Sequence, residues 1–228
     1  MDIPDPLPYM DRADAGRRLA EALQGFRGRK DTVVIGLLRG GMAVGRPLAD
    51  ALSLPLLPWN VRKIGHPANP EFALGAIAEG GGTSLDEDVM ESEGLAFADI
   101  EPIIEEEMRE MRRRRNVFAM QDIPLLAGKI ILITDDGAAT GATLFAVLED
   151  MRKAQAERIV IALPVAPRDT AERLRREADE VVVLATPAPF YAVGQWYLSF
   201  PPLRDEDVLE LLERKGKGGK RPAGKSLK

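Results

Sequence analysis

Two adjacent carboxylates, Asp135 and Asp136, stand between a short apolar run, Ile130 to Thr134, and a loop of small residues, Gly137-Ala138-Ala139-Thr140-Gly141-Ala142-Thr143. The run is rich in β-branched residues and reads as a buried strand, and a helical pattern follows from Leu144 to Lys153. In such a loop Gly137 and Gly141 let the backbone approach a bound group, Thr140 and Thr143 supply hydroxyls, and the helix start supplies unpaired N–H donors. That chemistry suits a phosphate. Two carboxylates repel an anion, but at the strand end they can accept hydrogen bonds from sugar hydroxyls, so a ribose phosphate satisfies both halves. Taken singly, a glycine-bearing junction and a solvated Asp pair are ordinary turn chemistry. The loop is one residue too short for a Walker A motif, with Ala142 where that motif needs Lys, and it lacks the third Gly of the dinucleotide fingerprint.

A second unit of the same kind lies upstream. The run Thr32 to Leu37 reads as a buried strand, Leu38-Arg39-Gly40-Gly41 as a tight loop, and Met42 to Leu52 as a helix. Arg39 carries a planar fork that can hold two oxygens of an anion at once. Leu54 to Val61 reads as a strand running on into Arg62 and Lys63, a basic pair ahead of a Gly- and Pro-rich stretch. Exposed cations are also the default state of these residues. The single His, His66, sits in that stretch and reads as a solvated side chain. Near the C-terminus, Ala185 to Tyr197 concentrates aromatics. Phe190 and Tyr191, directly after Pro187 and Pro189, are placed to stack on a flat ring, whereas Trp196 and Tyr197 read as core.

The stretch Ile130 to Thr143 resembles the phosphoribosyl diphosphate signature of the type I phosphoribosyltransferases: apolar strand residues, two acids, small residues, Thr-Gly, then a small residue and Ser or Thr. The resemblance implies that Asp135 and Asp136 hold the ribose hydroxyls, contacting a metal only through water, and that Gly137, Ala138, Ala139, Thr140, Gly141, Ala142 and Thr143 hold the 5′-phosphate. Arg39, Gly40 and Gly41 match the family's pyrophosphate loop, in which the bond before the basic residue is often cis. Arg62 and Lys63 inherit a place beside the diphosphate, and Phe190, Tyr191 and Val193 a place beside the acceptor. Mg²⁺ bound with phosphoribosyl diphosphate is the implied cofactor. The segment Val61 to Ala76 resembles a bacterial subgroup of predicted phosphoribosyltransferases whose acceptor is not assigned. Two departures are visible. Ala139 stands where enzymes acting on 6-oxopurines usually carry Asp, and Ser199 precedes Phe200 where relatives usually carry Asp.

These residues need a scaffold. Alternating strands and helices imply a doubly wound, mainly parallel α/β sheet with ligand-bearing loops at the strand carboxyl ends. Further expected elements are a helix from Asp11, strands Ala156 to Leu163 and Glu180 to Leu184, the helix Asp169 to Glu177 between them, and a short helix Asp205 to Leu212. Phe72 to Ala78 and Thr83 to Leu85 read as a hairpin. Ile100 to Phe118 reads as a long helix, with Glu105–Arg109 and Glu110–Arg114 at ion-pair spacing and Arg112 to Arg115 as a solvated face. Hairpin and helix together would be a small accessory hood, roughly residues 64–120, inserted in a single domain of 1–213.

The 228 residues contain no Cys and one His, which excludes disulfides, thiolate catalysis and Cys- or His-rich metal sites. Net charge is −5, but residues 214–228 carry seven Lys or Arg and no acid, leaving 24 basic against 36 acidic residues elsewhere. Such an acidic body does not suit a nucleic-acid surface, and the basic tail reads as disordered. With no run of about 18 apolar residues and no leader pattern, a cytoplasmic protein off the membrane is expected; homo-oligomerisation stays open. The expected function is transfer of ribose 5-phosphate from phosphoribosyl diphosphate to a nitrogen acceptor. The alternative is a regulator that senses the same ligand without turnover.

Overall fold

The computed structural model describes residues 7–118 and 126–213. Five strands form a wholly parallel sheet in the order β2-β1-β6-β7-β8: β1 is Thr32–Leu37, β2 Leu56–Trp59, β6 Ile130–Thr134, β7 Arg158–Val165 and β8 Glu180–Ala185. The central strands β1, β6 and β7 are buried on both faces, which is why they read as continuous apolar runs rather than alternating ones. On one face Val34, Ile130, Leu132 and Val160 pack with residues of α1 (Arg12–Ala22) and α2 (Gly40–Leu52). On the other, Val33, Ile35, Ile131, Ile133 and Ile161 pack with α5 (Ala142–Lys153) and α6 (Arg168–Glu177).

Strand order reverses at the β1–β6 pair: the chain leaves β1 toward β2 on one side and later enters β6 on the other, with Gly36 in register with Thr134. The loops after these two strands therefore part to opposite faces and open a crevice at their carboxyl ends. Arg39 and Asp135 both lie there.

The segment expected as one strand from Leu54 divides at Asn60. Trp59 still pairs with Leu37 in the parallel sheet, whereas Val61 begins β3 (Val61–His66) of a second sheet. Asn60 is fully buried and fixes the switch: its side-chain amide donates to the Met111 carbonyl, and its own carbonyl accepts from Glu79. The second sheet, β3-β4-β5, is antiparallel, with β4 at Asn69–Ala78 and β5 at Thr83–Leu85. A short helix α3 (Glu87–Ser92), not anticipated from the sequence, leads into α4 (Phe97–Val117). Ile64, Leu74, Ile77, Ile100 and Met111 form a separate core between this sheet and α4.

The Arg112 to Arg115 run is not simply a solvated face. Arg114 is buried against Glu110 at 2.9 Å, Arg113 reaches Glu110 and Asp205 (each 2.7 Å), and Arg115 reaches Glu79. Arg113 and Arg115 thus join α4 to the final helix α7 (Asp205–Glu213) and to the turn after β4, while Arg113 and Arg114 share Glu110. The two arginines bring the Glu110 carboxyl down to about 2. The basic tail 214–228 lies outside the described residues. Among the described residues no helix is long and apolar enough to cross a membrane.

Candidate active site

Asp135 and Asp136 follow β6 directly, and each has one oxygen already committed. The Asp136 amide donates to Oδ1 of Asp135 at 2.9 Å, and Arg12 Nε donates to Oδ2 of Asp136 at 2.8 Å. Asp135 Oδ2 and Asp136 Oδ1 have no hydrogen bond among the described residues. Burial, and then the charge of Asp136, push the Asp135 carboxyl well above the ordinary carboxylate range. Burial also raises Asp136, opposed chiefly by Arg12. The pair is thus a site that gains from a donor or cation.

The loop after β1 lies directly against these acids. The Leu38–Arg39 peptide is cis, as the resemblance implied. A Cβ at Gly40 would lie 2.1 Å from Asp136 Oδ2 and push that carboxylate aside, and one at Gly41 would lie 2.4 Å from the Thr134 carbonyl. The two glycines serve close approach of one loop to the other. Arg39 is partly exposed, with Nη1 3.8 Å from Asp205 Oδ1.

Beyond the acids, the chain enters α5 through Gly141, which takes the left-handed conformation (φ 80°) at the N-cap. Thr170 on α6 donates its hydroxyl to the Ala139 carbonyl at 2.6 Å and fixes the loop's outer wall. The expected cradle is shorter by one amide: Ala138 donates to the Val165 carbonyl at 3.1 Å, because its buried side chain belongs to the core beside β7. The amide of Ala142 faces the Thr140 hydroxyl at 3.4 Å. Those of Ala139, Thr140, Gly141 and Thr143 have no protein acceptor among the described residues and converge at a helix N-terminus.

The basic pair of β3 separates. Arg62 faces α4 and pairs with Glu107, whereas Lys63, one residue on and therefore on the opposite face, is exposed and close enough to favour the ionised forms of both Asp135 and Asp136. The expectation of two cations in one place is corrected: strand alternation sends only Lys63 toward the acids.

Of the aromatic loop, Val193 meets the glycine loop, since a Cβ on Gly137 would lie 2.7 Å from Val193 Cγ1. Phe190 packs against Trp196 at 5.9 Å between centroids, and Tyr191 is 83 % exposed. Trp196 is half-buried with its indole N–H enclosed, while Tyr197 is buried as expected. Gln195 sets the loop's shape by accepting from the amides of Tyr191 and Ala192, each at 3.2 Å.

Two contributors were not legible. Tyr197 donates its hydroxyl to the Asp136 carbonyl; burial, then Asp136, raises its pKa. Arg12 lies 3.6 Å above the Phe200 ring and donates to the Pro201 carbonyl at 2.9 Å. Each is distant in sequence from the motif it supports, and only the helical start at Asp11 hinted that Arg12 lies inside.

Residues 9–191 match the model of the phosphoribosyl transferase domain. The chain belongs to this family. It is 43 % identical over 207 residues to a Mycobacterium tuberculosis H37Rv protein whose name proposes a phosphoribosyl transferase, covering 90 % of this chain and 46 % of that one; the match to its counterpart in strain CDC 1551 is the same. The chain thus spans about half the length of the curated relatives it matches. The crystal structure of the Thermus thermophilus protein TT1426 is 38 % identical, with a TM-score of 0.72 over 90 % of this chain and 98 % of that one.

Proposed function

We propose that this phosphoribosyl transferase domain moves ribose 5-phosphate from phosphoribosyl diphosphate to a nitrogen acceptor and releases pyrophosphate. The observation that carries the reading is the packing of the Arg39-Gly40-Gly41 loop on Asp136 at the sheet's switch point, with the α5 N-terminus opening from the same strand end. In this reading the free oxygens of Asp135 and Asp136 accept from the two ribose hydroxyls. The amides of Ala139, Thr140, Gly141 and Thr143, with the hydroxyls of Thr140 and Thr143, hold the 5′-phosphate.

Departure of pyrophosphate leaves positive charge on C1′ and the ring oxygen. Arg39, the amides of its loop and Lys63 neutralise the leaving group, and fixed sugar and acceptor positions supply the remaining advantage without a covalent nucleophile. Among the described residues no three His, Asp or Glu form a metal cage. The adjacent carboxylates Asp135 and Asp136, each with one oxygen outside the hydrogen bonds to Arg12 and the Asp136 amide, fit a Mg²⁺ carried by the diphosphate and met through water, where it would supply further neutralisation of the leaving group. Arg62, held by Glu107, supports the accessory region that covers the site as a hood. Phe190, Tyr191 and Val193 form the acceptor side, and Ala139 offers no carboxylate to take a proton from a 6-oxopurine.

The test is a screen of nucleobases and other nitrogen acceptors with phosphoribosyl diphosphate and Mg²⁺, reading pyrophosphate release. Acceptor-dependent release supports transfer. Tight binding with no release across the screen would favour the regulator instead.

A further inference from the structure

We propose that Arg12 is a positioning residue for the sugar half of the site, clamping Asp136 so that its second oxygen is presented to a ribose hydroxyl. The inference rests on the function proposed above and assigns a role to α1, an element with no part in the motif.

Arg12 is the first residue of α1, 9 % exposed, and is held from three directions. In the guanidinium plane it donates from Nε to Asp136 Oδ2 at 2.8 Å and from Nη1 to the Pro201 carbonyl at 2.9 Å. Across the plane, its central carbon sits 3.6 Å from the centre of the Phe200 ring. A planar fork bound at two edges and stacked on one face has little freedom left. The carboxylate it holds is equally constrained, since Oδ2 also lies against Gly40, where a Cβ would stand only 2.1 Å away. Asp136 thus cannot turn Oδ2 toward a ligand without breaking the Arg12 contact, and Oδ1 is the oxygen on offer.

Charge points the same way. A buried carboxylate beside a second one is unfavourable unless a cation compensates, and removing one partner of such a pair is costly. Arg12 is the cation in contact with Asp136, whereas Lys63 is exposed and acts at longer range. A purely architectural Arg12, tying α1 to the segment after Tyr197, would affect stability without distinguishing one ligand from another. A positioning Arg12 acts only on ligands that carry the ribose.

The experiment is calorimetric titration of the full chain with two probes, Mg²⁺-phosphoribosyl diphosphate and Mg²⁺-pyrophosphate, for the wild type, Arg12→Met, Arg12→Lys, Asp136→Asn and the Arg12→Met/Asp136→Asn double variant, with thermal melts to establish folding. Arg12→Met is expected to weaken phosphoribosyl diphosphate roughly tenfold and to leave pyrophosphate within about twofold. The double variant should bind no worse than Asp136→Asn, because the effect passes through that carboxylate. Arg12→Lys, which keeps charge but loses the fork, should show the same selectivity at about threefold and decides the matter if Arg12→Met fails to fold. Equal weakening of both probes, or additive losses in the double variant, would overturn the proposal. A wild type that binds neither probe would defeat the proposed function itself, a result distinct from a wild type that binds both and variants without selectivity.

Discussion

Gly82 donates its backbone amide to Oδ1 of Asp150 at 2.6 Å, so the turn between β4 and β5 is held by the same helix that begins at the glycine loop. Asp150 is fully buried and also accepts from the Gly80 amide at 2.7 Å and from Trp59 Nε1 at 3.0 Å. Glu149 adds the Thr83 amide at 2.7 Å. The triple-glycine turn acts as an anion nest filled by a side chain of the main body. A Cβ at Gly82 would lie 2.2 Å from the Ala146 carbonyl, which excludes a side chain there, whereas Gly81 has open space but takes the left-handed conformation (φ 84°).

Asp150→Ala is therefore expected to destabilise the fold by about 3 kcal/mol or more, since it leaves several buried donors unpaired. Asp150→Asn should also destabilise, because its NH2 group meets amide donors. Urea unfolding measures the loss, and hydrogen exchange at Gly80 to Thr83 localises it. A change below about 1 kcal/mol for Asp150→Ala would show that the turn is held by its own backbone.

The separation of Arg62 from Lys63 gives the second expectation. Lys63→Ala should weaken Mg²⁺-pyrophosphate several-fold, whereas Arg62→Ala should leave it nearly unchanged and cost about 1 kcal/mol of stability through loss of the half-exposed Glu107 pair. Equal losses of pyrophosphate affinity in both variants would place the two cations together after all.

That separation also shows what kind of information the sequence held. The parallel strands were legible because burial on both faces leaves a local signature, and β1 and β6 run as read, Thr32–Leu37 and Ile130–Thr134. Helix α4 was legible from its apolar period. The break at Asn60 was not, because the side-chain amide of the residue that follows β2 is held by a carbonyl on α4, 51 residues away. Arg12 escaped for the same reason, its partner standing 124 residues on. The Arg112 to Arg115 run misled, since charge pattern along one helix does not reveal which elements lie across from it.

The acids should reveal themselves through pH. Burial raises the Asp135 carboxyl in the folded chain above its unfolded value, so the folded state holds that proton more tightly. The associated stability is present at low pH and is lost as pH rises through the folded pKa, so burying this carboxyl is a cost to the ligand-free protein at higher pH. Asp135→Asn removes that cost. It should melt higher than wild type at neutral pH, with a gap that narrows as pH is lowered, while binding phosphoribosyl diphosphate more weakly. Thermal melts from about pH 5 to 8 check this. A gap that is constant or reversed would mean the pair is not strained by burial.

Arg39 has a counter-ion before any ligand arrives. Its Nη1 is 3.8 Å from Asp205 Oδ1, too long for a hydrogen bond but within Coulomb reach, and that oxygen is enclosed without a hydrogen-bond partner. The other oxygen, Oδ2, is fixed by Arg113 at 2.7 Å, so Asp205 is anchored to α4 and cannot follow Arg39 if the guanidinium turns toward a diphosphate. Any anion that takes Arg39 must draw it from this carboxylate. Neutralising Asp205 should consequently tighten pyrophosphate binding, by about threefold given the partial exposure of Arg39 and the screening it brings. The effect should vanish in an Arg39→Met background, because it is exerted through that side chain. Calorimetry of Asp205→Asn, Arg39→Met and the double variant with Mg²⁺-pyrophosphate reads both statements. Weaker binding by Asp205→Asn would mean that Asp205 holds Arg39 in its working position rather than competing for it.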